Sequence, residues 1–359
     1  MKSLKNLIIA VGMLAVVGGT SVNAQNLIIV QKPDGSNPRL FTNLDSAVIQ
    51  ADSNDYLFIG SGTYTFSSNP LYITKPLHFV GSGYNVTGSN STIFVGNMRL
   101  GKAASGSTIT GIEFQFNYNP SYDFTLDSVS NCTISRCLFG SPIIFIGTGS
   151  NTIITECIID YYISNYSAIY PSSSVSKCIF TSKNTSYQRS GYNAFPSYML
   201  VNNNILYADY PFYGGSSYLT IENNIILGMF TNIGHPNNSI FSNNIYLCGD
   251  TLPLIGTSNV YQNNLDIRAL DTLYDTPAKI FINFTGFPTA SICDFRLNAG
   301  CPGINAGTDG TDIGIYGTAN PFKDGGTTAF PQILKKIIGT ETNAAGQLKI
   351  DIKTEAQSR

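Results

Sequence analysis

Charge is scarce in this chain. Only 12% of its 359 residues are Asp, Glu, Lys or Arg, and 20 basic residues nearly cancel 22 acidic ones. A surface so poor in cations is ill suited to neutralising a phosphate backbone, which argues against a nucleic-acid partner or a basic membrane patch. Histidine is nearly absent too, and two isolated residues, His78 and His235, do not make a metal site. The seven cysteines are an odd number, which argues against a disulfide framework, although Cys293 and Cys301 could pair. Beyond the first residues no apolar run is long enough to span a membrane as a helix. Carboxylates do not cluster, so no catalytic constellation stands out.

What the sequence has instead is repetition. Related phrases read TISRCLF at 133–139, IITECII at 153–159, SVSKCIF at 174–180 and LVNNNIL at 200–206. They continue as TIENNII at 220–226, IFSNNIY at 240–246 and VYQNNLD at 260–266. One position holds Cys or Asn throughout: Cys137, Cys157, Cys178, Asn204, Asn224, Asn244 and Asn264, spaced by 20, 21, 26, 20, 20 and 20 residues. A unit near twenty residues is too short for a strand plus a full helix but suits two or three short strands, the period of a solenoid. Parallel pairing with the next coil places equivalent residues about 4.8 Å apart along the axis. A column of Asn amides can then bond in series, and Asn tolerates the left-handed backbone of a sharp corner. Cys in the same column, with Ile112 one phrase earlier, indicates that it points inward.

The ends differ from the middle. Residues 1–24 combine Lys2 and Lys5 with an apolar Leu7–Val17 run and a small-residue Val22-Asn23-Ala24 site, the anatomy of a secretory signal. The expectation is therefore a secreted or cell-surface protein whose mature chain begins near Gln25, with the periplasm not excluded. Asn43 or Asp45 should cap a short helix to about Ala51, covering the first coil through Leu44, Ala47 and Val48. The solenoid should occupy 25–318. Residues 319–359 form an appendage, whose strands at 330–338 and 347–354 cap the last coil or contact a partner.

Specific stretches then carry a resemblance. The helix, DYLFIGSGTYTF at 55–66 and ITKPLHFVGSG at 73–83 resemble the entry of right-handed parallel β-helix proteins of the pectin-lyase-like superfamily. The matching elements are Gly62-Thr63-Tyr64 and Lys75-Pro76-Leu77 with Gly81-Ser82-Gly83. CPGINAGTDGTDIGIYG at 301–317 resembles a terminal segment of secreted bacterial β-helices, with Asn305 where that pattern usually has Asp. The resemblance, over about 40–318, implies an all-β right-handed parallel β-helix with a short N-terminal capping helix. It does not fix an activity, because the superfamily holds lyases, hydrolases, esterases, tailspikes and non-catalytic adhesins. The polygalacturonase-like Asp pairs, Gly-His-Gly and Arg-x-Lys are absent, and Phe66 stands where the methylesterase pattern has Glu.

Three places invite a functional reading. The column before the Cys-or-Asn column begins Arg136, Glu156, Lys177, which is either an exposed charge ladder or part of a saccharide-binding face. Two coils carry five or six extra residues, at 114–124 and 184–198. There Tyr118, Tyr122, Tyr187, Gln188, Arg189 and Tyr192 could line a glycan groove, provided both insertions leave at one corner. Asn305, Asp309 and Asp312 could hold calcium, but a turn shaped by Asp-to-backbone bonds needs fewer ligands. No cofactor is otherwise expected. The leading expectation is a non-catalytic binder of polysaccharide or of another surface protein, and the alternative a polysaccharide lyase or glycoside hydrolase.

Overall fold

The structure is a computed structural model. It describes residues 26–84, 91–115, 123–181, 193–208, 211–212, 216–228, 236–248, 257–267, 276–285, 293–328, 332–342 and 348–355. Beyond Ile169 the described turns hold two strands each, and before it the repeat forms a coil of three. In one turn these are Thr133–Ser135, Leu138–Phe139 and Ile143–Thr148, and the next turn begins at Ile153–Thr155. Each strand pairs in parallel with its counterpart one turn on: Thr133 with Ile153, Leu138 with Ile158, Ile143 with Ile163. Three sheets of 12, 10 and 5 strands result, named A, B and C here in the order the chain visits them. This is a parallel β-helix. No described helix is long and apolar enough to cross a membrane.

Its interior is a set of stacked columns. The middle residues of sheet A (Ile134, Ile154, Val175, Val201, Ile221 and Phe241) are all fully buried. Phe114 stacks on Phe139 one coil away, with centroids 4.8 Å apart and planes 2° apart, as in-register pairing requires. The Cys-or-Asn column is inward as its composition implied. Asn204, Asn224 and Asn244 each donate through Nδ2 to the next Oδ1, at 2.9, 3.0 and 3.0 Å, ending on Asn264. Each Oδ1 also accepts a backbone N–H from the rung before, as Asn224 does from Asn204 at 2.9 Å. Cys137, Cys157 and Cys178 continue the column as buried free thiols.

The corner itself is one residue earlier than the sequence reading placed it. Left-handed backbone falls on Arg136, Glu156, Lys177, Asn203, Asn223, Asn243 and Asn263, with φ between 49° and 56°. The ladder Asn residues are not left-handed. Their conservation of type down the column therefore reflects buried hydrogen bonding, while the residue before each one makes the turn.

At the N-terminal end, helix α1 (Leu44–Gln50) caps the coil, with the Asn43 side chain accepting from the Ser46 N–H at 2.9 Å. Lys75 bonds the carbonyls of Ile49 and Ala51 at its other end, where a cation is favoured. Beneath it Asp55, almost wholly buried, takes Arg39 at 2.8 Å.

At the other end the chain turns back. Residues 301–328 run along the flank against the direction of coiling, over the outer face of sheet B. This explains why two apolar residues follow every Cys or Asn of the column except Asn264. Phe139, Ile159 and Phe180 face inward, while Leu138, Ile158, Ile179, Ile205, Ile225 and Ile245 face out and are buried with Cys301, Ile313, Ile315 and Phe322 in a second core. The left-handed column is the rail that holds this strap. Asn243 donates to Ala306 O at 2.8 Å, Asn223 to Thr308 Oγ1 at 2.7 Å and Asn203 to Gly314 O at 3.2 Å. Lys177 follows with Asn320 O at 2.7 Å, and Arg136 with Thr327 O at 3.0 Å. Past the strap, Gln332–Thr342 and Leu348–Glu355 pair as an antiparallel hairpin.

Two outcomes follow from this packing. Asn224→Ala would strand the backbone N–H of Asn204 and one of its two amide N–H groups, the other still bonding Val175 O. An unfolding free energy lower by about 3–5 kcal/mol in denaturant titration is the expected cost, at roughly 1–3 kcal/mol per stranded group. Gly314 has φ of 104°, and a Cβ there would lie 2.7 Å from Ile225 Cδ1. Gly314→Val should lift the strap, seen as protease cleavage within 301–328 while far-UV circular dichroism of the coil is kept.

Candidate functional site

With sheet B covered by the strap, sheet C offers an open flank. Its first outward column is Tyr72, Arg99, Thr125, Ile144 and Ser164, on successive rungs. Two residues further along the strands, the second column is Asp127, Ile146 and Tyr166. Tyr72 and Tyr166 are 53% and 65% exposed, four rungs or about 19 Å apart along the axis. Between them Arg99 donates to Asp127 Oδ2 at 2.5 Å, and its guanidinium carbon lies 5.8 Å from the centre of the Tyr72 ring. The Arg99 hydrogen bond holds the Asp127 carboxyl below the usual aspartate range, and the same bond pushes Arg99 up. The result is a face with an exposed tyrosine at each end and a fixed, half-buried ion pair, while Thr125 beside the pair is buried. Such a surface can stack on apolar faces of a ligand and bond its hydroxyls.

The described ends of both insertions border this flank. The first lies between Glu113–Gln115 of sheet B and Phe124–Asp127 of sheet C. The second follows Ile179–Phe180 of sheet B and ends at Asn193, whose Oδ1 accepts from the N–H of Ile163 in sheet C at 3.0 Å. They therefore leave at the same corner, three rungs apart. Tyr118, Tyr122, Tyr187, Gln188, Arg189 and Tyr192, however, all lie outside the described residues, as does His235.

The other sequence candidates are placed elsewhere. Arg136 and Glu156 do pair, at 2.8 Å, but their side chains are only 8% and 12% exposed. The strap lies over these two, so their pair is a covered structural contact, while Lys177 stays half-exposed and bonds Asn320 O. Cys293 and Cys301 are not joined by a disulfide, so the pairing left open between them is not made. Asp309 accepts from the Thr311 N–H and hydroxyl, at 3.0 and 2.7 Å, and Asp312 from the Asn305 N–H at 3.0 Å. Those carboxylates shape the strap's turn. No group of three His, Cys, Asp or Glu is placed to hold a metal ion among the described residues. His78 bonds Thr108 Oγ1 at 2.9 Å and packs on Tyr56, and its burial pushes the imidazole pKa down.

One carboxyl pair departs from this pattern. Glu222 lies on the outer face of sheet A, half-buried where the strap's turn comes near. Burial, with a smaller contribution from the Asp309 charge, raises its pKa. Asp309 is held low by its bonds to Thr311. Two carboxyls pushed apart in this way can divide acid and base roles.

Sequence reasoning missed the sheet C flank because nothing local marks it. Arg99 and Asp127 are 28 residues apart and meet only through register. The signal available was the alternation in LYI, MRL and FTLD, which puts Tyr72, Arg99 and Thr125 on one face.

No family model matches the chain, and no curated protein matches it. Two solved structures are similar to it. ORF18 of Geobacillus virus E2 is 12% identical with a TM-score of 0.38, the match covering 74% of this chain and 63% of that one. The catalytic domain of a GH87 alpha-1,3-glucanase in complex with tetrasaccharides is 11% identical with a TM-score of 0.24, covering 62% of each chain. The match thus spans less than two thirds of either structure. Similarity this low carries no conclusion about activity.

The ion pair makes a pH prediction. Because the folded carboxyl of Asp127 is held below its ordinary value of 3.8, its contribution is present above that value and lost as pH falls through the folded one. Wild-type stability should fall more steeply on acidification below about pH 4 than that of Asp127→Asn, in melting curves taken at stepped pH.

Proposed function

We propose that this is an exported, non-catalytic β-helix protein that binds polysaccharide along the outer face of sheet C. The observation that supports the reading is the Tyr72–Arg99–Asp127 arrangement, with Tyr166 further along the same flank. A polysaccharide offers apolar C–H faces for the tyrosines and hydroxyls for the ion pair, and it asks for no net charge. The low charge of the chain fits such a neutral or weakly charged partner. Export rests on residues 1–24, whose composition is that of a secretory signal. The test is affinity electrophoresis of the mature protein through gels containing neutral and uronate-containing polysaccharides. Retention by at least one is expected, weakened about tenfold or more by Tyr166→Ala or Arg99→Ala. Free migration through every gel contradicts the reading.

A second reading, polysaccharide hydrolysis, is favoured by Glu222 and Asp309. A carboxyl whose pKa burial raises could protonate a glycosidic oxygen while one held low assists. Release of reducing ends from the same polysaccharides, abolished by Glu222→Gln, would establish it in place of the binding role.

A further inference from the structure

At the corner between sheets C and A, a second left-handed column runs up the coil. Its members Asn131, Asn151, Ser172, Asn238 and Ser258 are small and polar, and their φ values lie between 51° and 60°. On two successive rungs the column holds Tyr198 and Tyr218 instead, at φ of 65° and 61°. A bulky side chain in this conformation is disfavoured, and the cost is usually met only where the residue does something else. Core packing does not meet it here, because the two tyrosines are 47% and 50% exposed. They stack on each other, centroids 4.7 Å apart and planes 6° apart, at the spacing of the rungs. Neither phenol hydroxyl has a partner among the described residues.

The surroundings narrow the occupant. Leu200, Ile240 and Val260 lie two residues beyond this column on the outer face of sheet A, and Ile240 and Val260 are 43% and 46% exposed. From Thr108–Thr110 to Val260–Gln262 that face carries a single charged outward residue, Glu222. The ledge therefore offers nothing to a polyanion. It is also small: four rungs span about 14 Å and a three-residue strand about 10 Å, a patch on the order of 140 Å², well short of the roughly 800 Å² per partner that a stable protein interface needs. Ile169, 42% exposed at the end of a sheet C strand, pairs with Ser197 beside Tyr198, so the ledge continues the sheet C flank.

We propose that Tyr198 and Tyr218 form a binding ledge for the pyranose rings of a neutral polysaccharide, extending the contact made by sheet C. The inference rests on the proposed function and adds a site and a ligand class to it. Sugar C–H groups pack on the ring edges and the adjoining aliphatic strip, and the two phenol hydroxyls bond sugar hydroxyls.

The test replaces each tyrosine by a residue the same column uses on a neighbouring rung, Tyr198→Ser with Tyr218→Asn, in the mature protein. Because Ser and Asn suit the corner, the double variant should melt at the same temperature or a few degrees higher. Its retention in gels of soluble β-glucan, α-glucan or galactomannan should nonetheless fall about tenfold, for whichever of these retains the wild type. Polygalacturonate should retain it no better than a blank gel. A lower melting temperature with unchanged retention would make the rings structural and overturn the proposal. So would a change in oligomeric state by sedimentation, which would mark a protein interface. If Tyr166→Ala lowers retention and the double variant does not, the sheet C reading stands and the ledge falls. If wild type is retained by none of the gels, both fall.

Discussion

Everything in this molecule depends on parallel pairing in exact register, which puts each residue directly over its counterpart one turn away. The constraint acts on every column at once. A column that faces inward must be apolar or must satisfy its own hydrogen bonds, and the Asn ladder does the latter through both its donors and its acceptor. A column at a corner must accept left-handed backbone. A column that faces out cannot repeat one charge at rung spacing without repulsion, which is why so few charged residues occur. Where opposite charges do stack, as Arg136 and Glu156 do, a second layer of chain lies over them.

The fold was legible because its signal is periodic. Cys137 to Asn264 shows the rung spacing directly, and α1 carries an ordinary cap at Asn43. The corner was misplaced by one residue because two adjacent Asn columns look alike in sequence. Only Arg136, Glu156 and Lys177, which no buried ladder would tolerate, mark the first of them as the outward one. The strap was not legible at all. Its grip on Asn203, Asn223 and Asn243 joins residues 63 to 111 positions apart, and no pattern within 301–328 names the face it covers. The doubled apolar positions, such as Leu138-Phe139 and Ile158-Ile159, were the available clue, because a strand apolar on both sides is covered on both.

For function, the strap matters by subtraction. It covers the outer apolar positions of sheet B from Leu138 to Ile245 and lies over Arg136, Asn203 and Asn223. Sheet C, the outer face of sheet A and the corner between them are left within reach of a large ligand. The groups on that surface are few and of compatible kinds: exposed tyrosines at both ends of the flank, one fixed ion pair and an aliphatic strip. Asn and Ser make the same corner elsewhere at lower conformational cost. The tyrosines there are thus a departure from what the coil needs, and departures from local preference point toward binding.

Spacing between labels placed along one outward column tests the stacking most directly. Nitroxides on cysteines introduced at Thr108 and Val260, seven rungs apart, should lie near 34 Å by pulsed electron–electron resonance, and those at Thr133 and Thr220, four rungs apart, near 19 Å. The native Cys137, Cys157 and Cys178 are buried and should take no label. Distances that grow in proportion to the number of rungs are the predicted result. Distances that do not would mean the columns are not stacked, contradicting the rail, the strap and both proposed contacts together.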